Sequence, residues 1–255
     1  MSQSDKAQSD KAQSDKAHSE KVHALIEVEH FRKEYDDVVA ADDVSFQLPR
    51  GIVGALIGPN GAGKTTTMRA LCGIIRPTSG RLLVSGYDVA SDPIAVKQRI
   101  ACVPDDPPLF ESLTVFEHLR FIASAYNVDN FAEEASGLLE QLELTPKRNA
   151  LASELSRGMR QKVAIACAYL RTPEVLLLDE PLTGLDPVAI RMLKQTLVQR
   201  AAAGATVLVS SHLLALVEDI CQHLVILRSG RCLFSGTLSD AQQLYNVSGT
   251  LEDVF

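Results

Sequence analysis

The sequence predicts an α/β fold in three parts: a parallel-sheet core flanked by helices, an antiparallel β lobe at its edge, and an α-helical lobe inserted between core strands. Three observations carry this. In the second half, apolar runs at 175–178, 206–210 and 224–227 alternate with helical patterns opening at Pro187 and Leu213, the order of a parallel sheet covered on both faces. Near the start, residues 25–29 and 44–48 read as strands, the second with clear inside-outside alternation. Between these regions lie amphipathic patterns with helix-start signals, followed by a helix beginning near Arg157.

Composition sets the outer bounds. A chain of 255 residues suits one large domain or one domain with an inserted lobe, and 46% hydrophobic with 22% charged residues excludes wholesale disorder. With no Trp the core is aliphatic. A net charge of -7 without clustered Lys and Arg argues against a nucleic-acid partner, because phosphate neutralisation needs such clusters. The apolar runs, 175–178 among them, fall far short of the roughly 20 residues that span a bilayer, so a membrane role has to come through a partner. Cys72, Cys102, Cys167, Cys221 and Cys232 lack paired metal-ligand spacing and read as reduced thiols of a cytosolic protein.

Taken in order, the chain begins with a pentapeptide repeat, Gln-Ser-Asp-Lys-Ala three times and then His18-Ser19-Glu20-Lys21-Val22. With almost nothing to bury, residues 1–21 are expected to be a disordered tail, followed by one domain over 22–255. Within it the β edge lobe is placed at about 24–57 and 81–90, the helical lobe at about 107–170, and the core in the remainder. Tyr35, placed in a loop after the first strand, is a candidate aromatic face for a base, although a lone loop tyrosine is also an ordinary surface residue.

The apolar run 52–57 reads as a buried strand leading into Gly58-Pro59-Asn60-Gly61-Ala62-Gly63-Lys64-Thr65, and 65–71 reads as a helix ending at Gly73. The spacing G-x-x-x-x-G-K-[ST] between a strand and a helix is the phosphate loop. Its glycines let amide groups point inward, and the following helix adds a positive end. Lys64 is placed to reach the β- and γ-phosphates of a bound nucleotide, Thr65 to hold Mg²⁺, and Thr66 to donate to the α-phosphate.

A turn at 77–80, a strand at 81–86, a short helix opened by Asp92-Pro93, and a strand at 100–103 ended by Pro104 follow. Residues 105–110, with Pro107 and Pro108, are a stiffened loop. The next two helices start at Thr114 with Glu117 and Asn130 with Glu133, both at capping-box spacing. Their apolar stripes are Phe116, Leu119 and Ile122, then Phe131, Leu138, Leu139 and Leu142.

At the end of the strand 175–178 stand Asp179 and Glu180. Asp179 is placed to hold Mg²⁺ and Glu180 to polarise an attacking water, although paired acids at a strand end can also be helix caps. His212, after the next strand, is a candidate for sensing the γ-phosphate or stabilising the transition state. Ser156 caps a helix whose second residue, Gly158, permits close approach, making a second anion-binding end in the helical lobe. One chain does not easily bring that end to its own phosphate loop, and an ATP shared between two chains, with two sites by two-fold symmetry, resolves this.

The order of these motifs resembles the nucleotide-binding subunits of ABC transporters over residues 24–255. Residues 58–65 are similar to Walker A, Leu155-Ser156-Arg157-Gly158-Met159 to the signature motif, 176–180 to Walker B with its catalytic glutamate, and Leu185-Asp186 to the D-loop. His212 corresponds to the switch histidine and Tyr35 to the A-loop aromatic. The resemblance implies a P-loop NTPase (RecA-like) core and an ATPase using ATP and Mg²⁺. It also implies a second ATPase subunit, a separate integral membrane permease, and a place at the cytoplasmic face of the membrane.

Two motifs depart from the family pattern. Arg157 and Met159 stand where L-S-G-G-Q has Gly and Gln, and Asp105 stands at the Q-loop glutamine, where it still suits a Mg²⁺-bound water. Asp186-Pro187 is also an ideal helix start. The signature, the loop Pro104-Asp105-Asp106-Pro107-Pro108 and the ending 251–255 are most like the ABC-2 exporter class. A docking groove is expected near 105–116, with Leu109 and Phe110 as anchors. The alternatives are a soluble ABC-type ATPase of translation or DNA repair, which lacks support from a second cassette or a long coiled coil here, and a catalytically silent regulatory module.

Overall fold

The computed structural model describes residues 24–212 and 218–244. The N-terminal repeat, the start of the helix expected at Leu213, and the ending 251–255 lie outside the described residues. The elements are β1 (Ala24–Tyr35), β2 (Val38–Pro49), β3 (Val53–Ile57), α1 (Lys64–Leu71), β4 (Ser79–Val84), β5 (Tyr87–Asp88), α2 (Pro93–Arg99), β6 (Ile100–Val103), α3 (Val115–Tyr126) and α4 (Phe131–Gln141). They continue with α5 (Arg157–Tyr169), β7 (Val175–Asp179), α6 (Pro187–Ala202), β8 (Thr206–Ser211), β9 (His223–Arg228), β10 (Arg231–Gly236) and α7 (Leu238–Leu244).

Two sheets organise these elements. The smaller is antiparallel, in the order β2-β1-β4-β5, and the larger runs β10-β9-β3-β8-β7-β6. In the larger sheet β9, β3, β8, β7 and β6 are parallel, while β10 pairs antiparallel with β9 at one edge.

Burial explains why β3, β7 and β8 carry no inside-outside alternation, since all their residues are buried. Alternate residues still serve opposite faces. Leu176, Leu178, Val207 and Val209 pack with α3, α4, α5 and α6, whereas Val175, Leu177 and Leu208 pack with the antiparallel sheet and α1. The central sheet is thus clamped between the helical lobe and the β lobe. Tyr169 ties α5 to α6 through a 2.8 Å hydrogen bond with Thr196, and burial pushes its phenol up to about 12.

Three expectations are corrected by the structure, and one strand is new. The strand 53–57 does not belong to the edge lobe: β3 lies in the middle of the parallel sheet, because its apolar residues need cover on both faces. Ser79 and Gly80, expected in a turn, begin β4. Thr114 forms a complete capping box with Glu117, but Asn130 sits at φ 53° and makes no capping hydrogen bond, since a side-chain cap requires extended backbone at that residue. The antiparallel β10 was not anticipated, because 231–236 lacks a continuous apolar run.

Leu119 on α3 is fully buried in the helical-lobe core. Leu119→Ala is expected to destabilise the protein by about 2–5 kcal/mol, read as a lower denaturation midpoint with an unchanged slope.

Candidate functional site

The phosphate loop leaves β3 between the two sheets. A Cβ on Gly58 would lie 2.2 Å from the carbonyl oxygen of Leu227 on β9, so only glycine fits that approach. Gly63, at φ 100°, faces β2, where a Cβ would lie 2.7 Å from the carbonyl oxygen of Ala40. The loop therefore closes tightly and delivers α1 with its N-terminus toward the C-terminal edge of the sheet. Lys64 is buried and donates from Nζ to the carbonyl oxygens of Gly58 (2.6 Å) and Pro59 (3.3 Å), 3.7 Å from Glu180 Oε1.

Asp179, at the end of β7, is buried and held at both oxygens. Thr65 Oγ1 donates to Oδ2 at 2.7 Å and Ser210 Oγ donates to Oδ1. Ser210 also accepts from the backbone amide of Glu180, at 3.0 Å on Oγ and 3.2 Å on the carbonyl oxygen. These contacts hold Glu180 at φ 48°, a conformation costly for a non-glycine residue and one often kept at working sites. Its Oε2 is 2.9 Å from His212 Nδ1. An ionised carboxylate can only accept, so in this contact His212 carries its proton on Nδ1.

A cavity of about 440 Å³ opens over this cluster, lined by residues 59–66 together with Val38, Val39, Ala40, Asp105, Asp179 and Glu180. Its amide-rich loop and buried lysine fit a polyphosphate. Thr65 and Asp179 present two hard oxygen donors at one point, which suits a small divalent cation sharing its shell with phosphate and water. Among the described residues no group of three or more His, Cys, Asp or Glu side chains gathers as a self-sufficient metal site.

The structure places other predicted residues elsewhere. Tyr35 ends β1 rather than standing in a loop, because pairing with Val38 extends the strand up to the turn at 36–37. Its half-exposed ring carries Lys33 Nζ 4.6 Å from the centroid, and Val38, Val39 and Ala40 are the hairpin residues that reach the cavity. Ser156 caps α5, accepting from Met159 N at 3.3 Å. Arg157 Nη2 donates to Asp105 Oδ1 at 2.8 Å, so the Asp105 carboxylate is engaged in an ion pair although the residue lines the cavity. Gly158 lies against Gly184 and Leu185. Asp186 caps α6 by accepting from Ala189 N and Val188 N at 2.9 Å each, and the Ala189 bond first, then that of Val188, holds its carboxyl below the usual range. None of Ser156, Arg157, Gly158, Met159 and Asp186 lines the cavity.

Sequence reasoning missed Ser210 and the Val38–Ala40 edge. Ser210 had a signal: it is a serine closing an apolar strand, level with Asp179 once β7 and β8 pair in register. Val38 and Val39 had none beyond being apolar and next to a turn.

Comparison with known proteins agrees with this geometry. The family model described as ABC transporter matches residues 41–183. The ABC-type transporter ATP-binding protein EcsA of Bacillus subtilis is 35% identical over 236 residues, covering 91% of this chain and 95% of that protein. The Nod factor export ATP-binding protein I of Cupriavidus pinatubonensis is 34% identical, over 85% of this chain and 67% of its own length. A solved structure titled as the ATP binding subunit of an ABC transporter superposes with a TM-score of 0.85 at 36% identity, covering 90% of this chain and 97% of that one.

Because Ser210 supports both Asp179 and Glu180, Ser210→Ala is expected to weaken ATP binding in the presence of a divalent cation by about tenfold. Binding of metal-free ATP should change by less than about twofold. Titration with a fluorescent ATP analogue, with and without chelator, measures both.

Proposed function

The chain belongs to the ABC transporter family as an ATP-binding subunit that hydrolyses ATP, and on that premise we propose that two such subunits enclose two MgATP and drive a separate membrane permease. The observation that supports this most is the separation within one chain. Lys64, Thr65, Asp179 and Glu180 line the cavity, with His212 bound to Glu180, while the second anion-binding end, Ser156 to Gly158, supplies no lining residue and touches the rim where Arg157 binds Asp105. Two-fold pairing of two chains brings each half to the other.

In this reading the amides of the loop 58–63 cradle the β- and γ-phosphates, and Lys64 turns from its loop carbonyls to them. Thr65 and Asp179 would hold Mg²⁺, which when bound would supply positive charge beside the phosphate oxygens. Glu180 takes the proton of the attacking water. Its αL backbone and the His212 contact aim the carboxylate before substrate arrives, so little reorganisation is needed during reaction. His212 orients Glu180 through Nδ1, which leaves Nε2 as the ring atom proposed to meet the γ-phosphate. Val38 and Val39 give the base an apolar edge, beside Tyr35.

The permease contact is placed in a groove of about 190 Å³ between β6 and the helical lobe, where Phe110 and Phe121 are about half exposed with ring centroids 5.4 Å apart. His118 is buried beneath and accepts from Phe110 N at 3.0 Å, holding that residue in place. No described helix is long and apolar enough to cross a membrane. In this reading the subunit works at the cytoplasmic face of the membrane, peripheral through the permease, and the names of its relatives favour export.

Glu180→Gln is expected to retain ATP binding and lower turnover by about 10²-fold or more. It should also accumulate as an ATP-bound dimer. Sedimentation with MgATP checks this, and a variant that binds ATP yet stays monomeric would refute the shared site.

A further inference from the structure

We infer that Asp105 and Arg157 form a latch between the halves of the site, closed in the free subunit and opened when a nucleotide held by the second chain takes Arg157. The inference rests on the shared-site reading above. Asp105 lines the nucleotide cavity of its own chain, yet its carboxylate is paired with Arg157 at 2.8 Å. Arg157 is the first residue of α5, so it stands at the helix end that pairing turns toward the partner's triphosphate. Each member therefore has a second destination: a metal-bound water for the carboxylate and a phosphate for the guanidinium.

A second strap lies beside this one and shows the difference. Arg160 binds Glu111 with both guanidinium nitrogens, at 2.8 and 3.1 Å, and also donates to the carbonyl oxygen of Ala152 at 3.1 Å. That hydrogen-bonded pair holds the Glu111 carboxyl below its usual range. The loop 105–111 is thus tied to the first turn of α5 at both ends, but Glu111 lies outside the nucleotide cavity and has no destination there. Only the Asp105 end is poised to exchange partners. Both side chains of that pair are about half exposed, 48% for Asp105 and 54% for Arg157, and ion pairs of this kind are weak. A guanidinium on phosphate is bidentate and stronger, so closure exchanges a weak contact for a strong one and frees Asp105.

The test uses the Glu180→Gln chain and the MgATP concentration that gives half-maximal dimer in sedimentation velocity. Adding Asp105→Asn should lower that concentration by about two- to fivefold, the ratio a half-exposed ion pair can hold back. Arg157→Gln should raise it, and Asp105→Asn placed on top of Arg157→Gln should change nothing further. Glu111→Gln should not lower it. If Asp105→Asn raises the concentration as Arg157→Gln does, or leaves it unchanged, the pair is a brace and the latch is wrong. If the Glu180→Gln parent fails to dimerise, the shared site falls and the latch with it.

Discussion

The structure depends on parallel pairing in register at the C-terminal ends of three neighbouring strands. Ile57 on β3 pairs with Ser211 on β8, and Ser210 pairs with Asp179 on β7, so the phosphate loop, Ser210 and the two acids emerge at one level. A slip of one residue would send Leu177 and Leu208 to the wrong face and separate these groups together. Covering both faces holds the register, and the apolar strands are the cause of that cover. Packing and chemistry are therefore one constraint.

That convergence carries an electrostatic demand. Lys64, Asp179 and Glu180 are buried or nearly so, and a buried charge persists only with partners. Lys64 has loop carbonyls and Glu180, Asp179 has two hydroxyls, and Glu180 has His212. Every one of these contacts can pass to phosphate, metal or water without leaving a bare charge. The helical lobe follows the same logic at its surface, where Arg157 and Arg160 tie the first turn of α5 to the loop that leads into the apolar groove. A movement of that helix end thus reaches Phe110 through short, named links.

Much of the site was legible because its signals are local. The phosphate loop, the acids closing β7 and the serine cap of α5 each lie in a continuous stretch whose residue types state the backbone geometry they need. What stayed hidden depends on pairing across the chain. Ser210 acquires its role only when β8 lies beside β7, Val38 and Val39 when the β1–β2 hairpin leans over the loop, and the Arg157–Asp105 pair when residues 52 apart in sequence meet. The expectation that β3 belongs to the edge lobe fails for the same reason, since nearness in the chain does not set position in the sheet. Asn130 shows the limit of spacing rules: residue types at capping distance do not cap when the backbone at that position is left-handed.

The central claim is that one chain carries half of each catalytic site, and mixing two inactive variants tests it most directly. Lys64→Ala removes the phosphate lysine, while Ser156→Asp keeps a good helix cap and sets a negative charge where the partner's γ-phosphate is to be met. Each variant alone should lose most MgATP hydrolysis. The equimolar mixture should recover about a quarter of the unmutated rate, because random pairing makes half of the dimers mixed and each mixed dimer holds one intact site. Full activity of Ser156→Asp alone, or a mixture as inactive as its parents, would contradict the account.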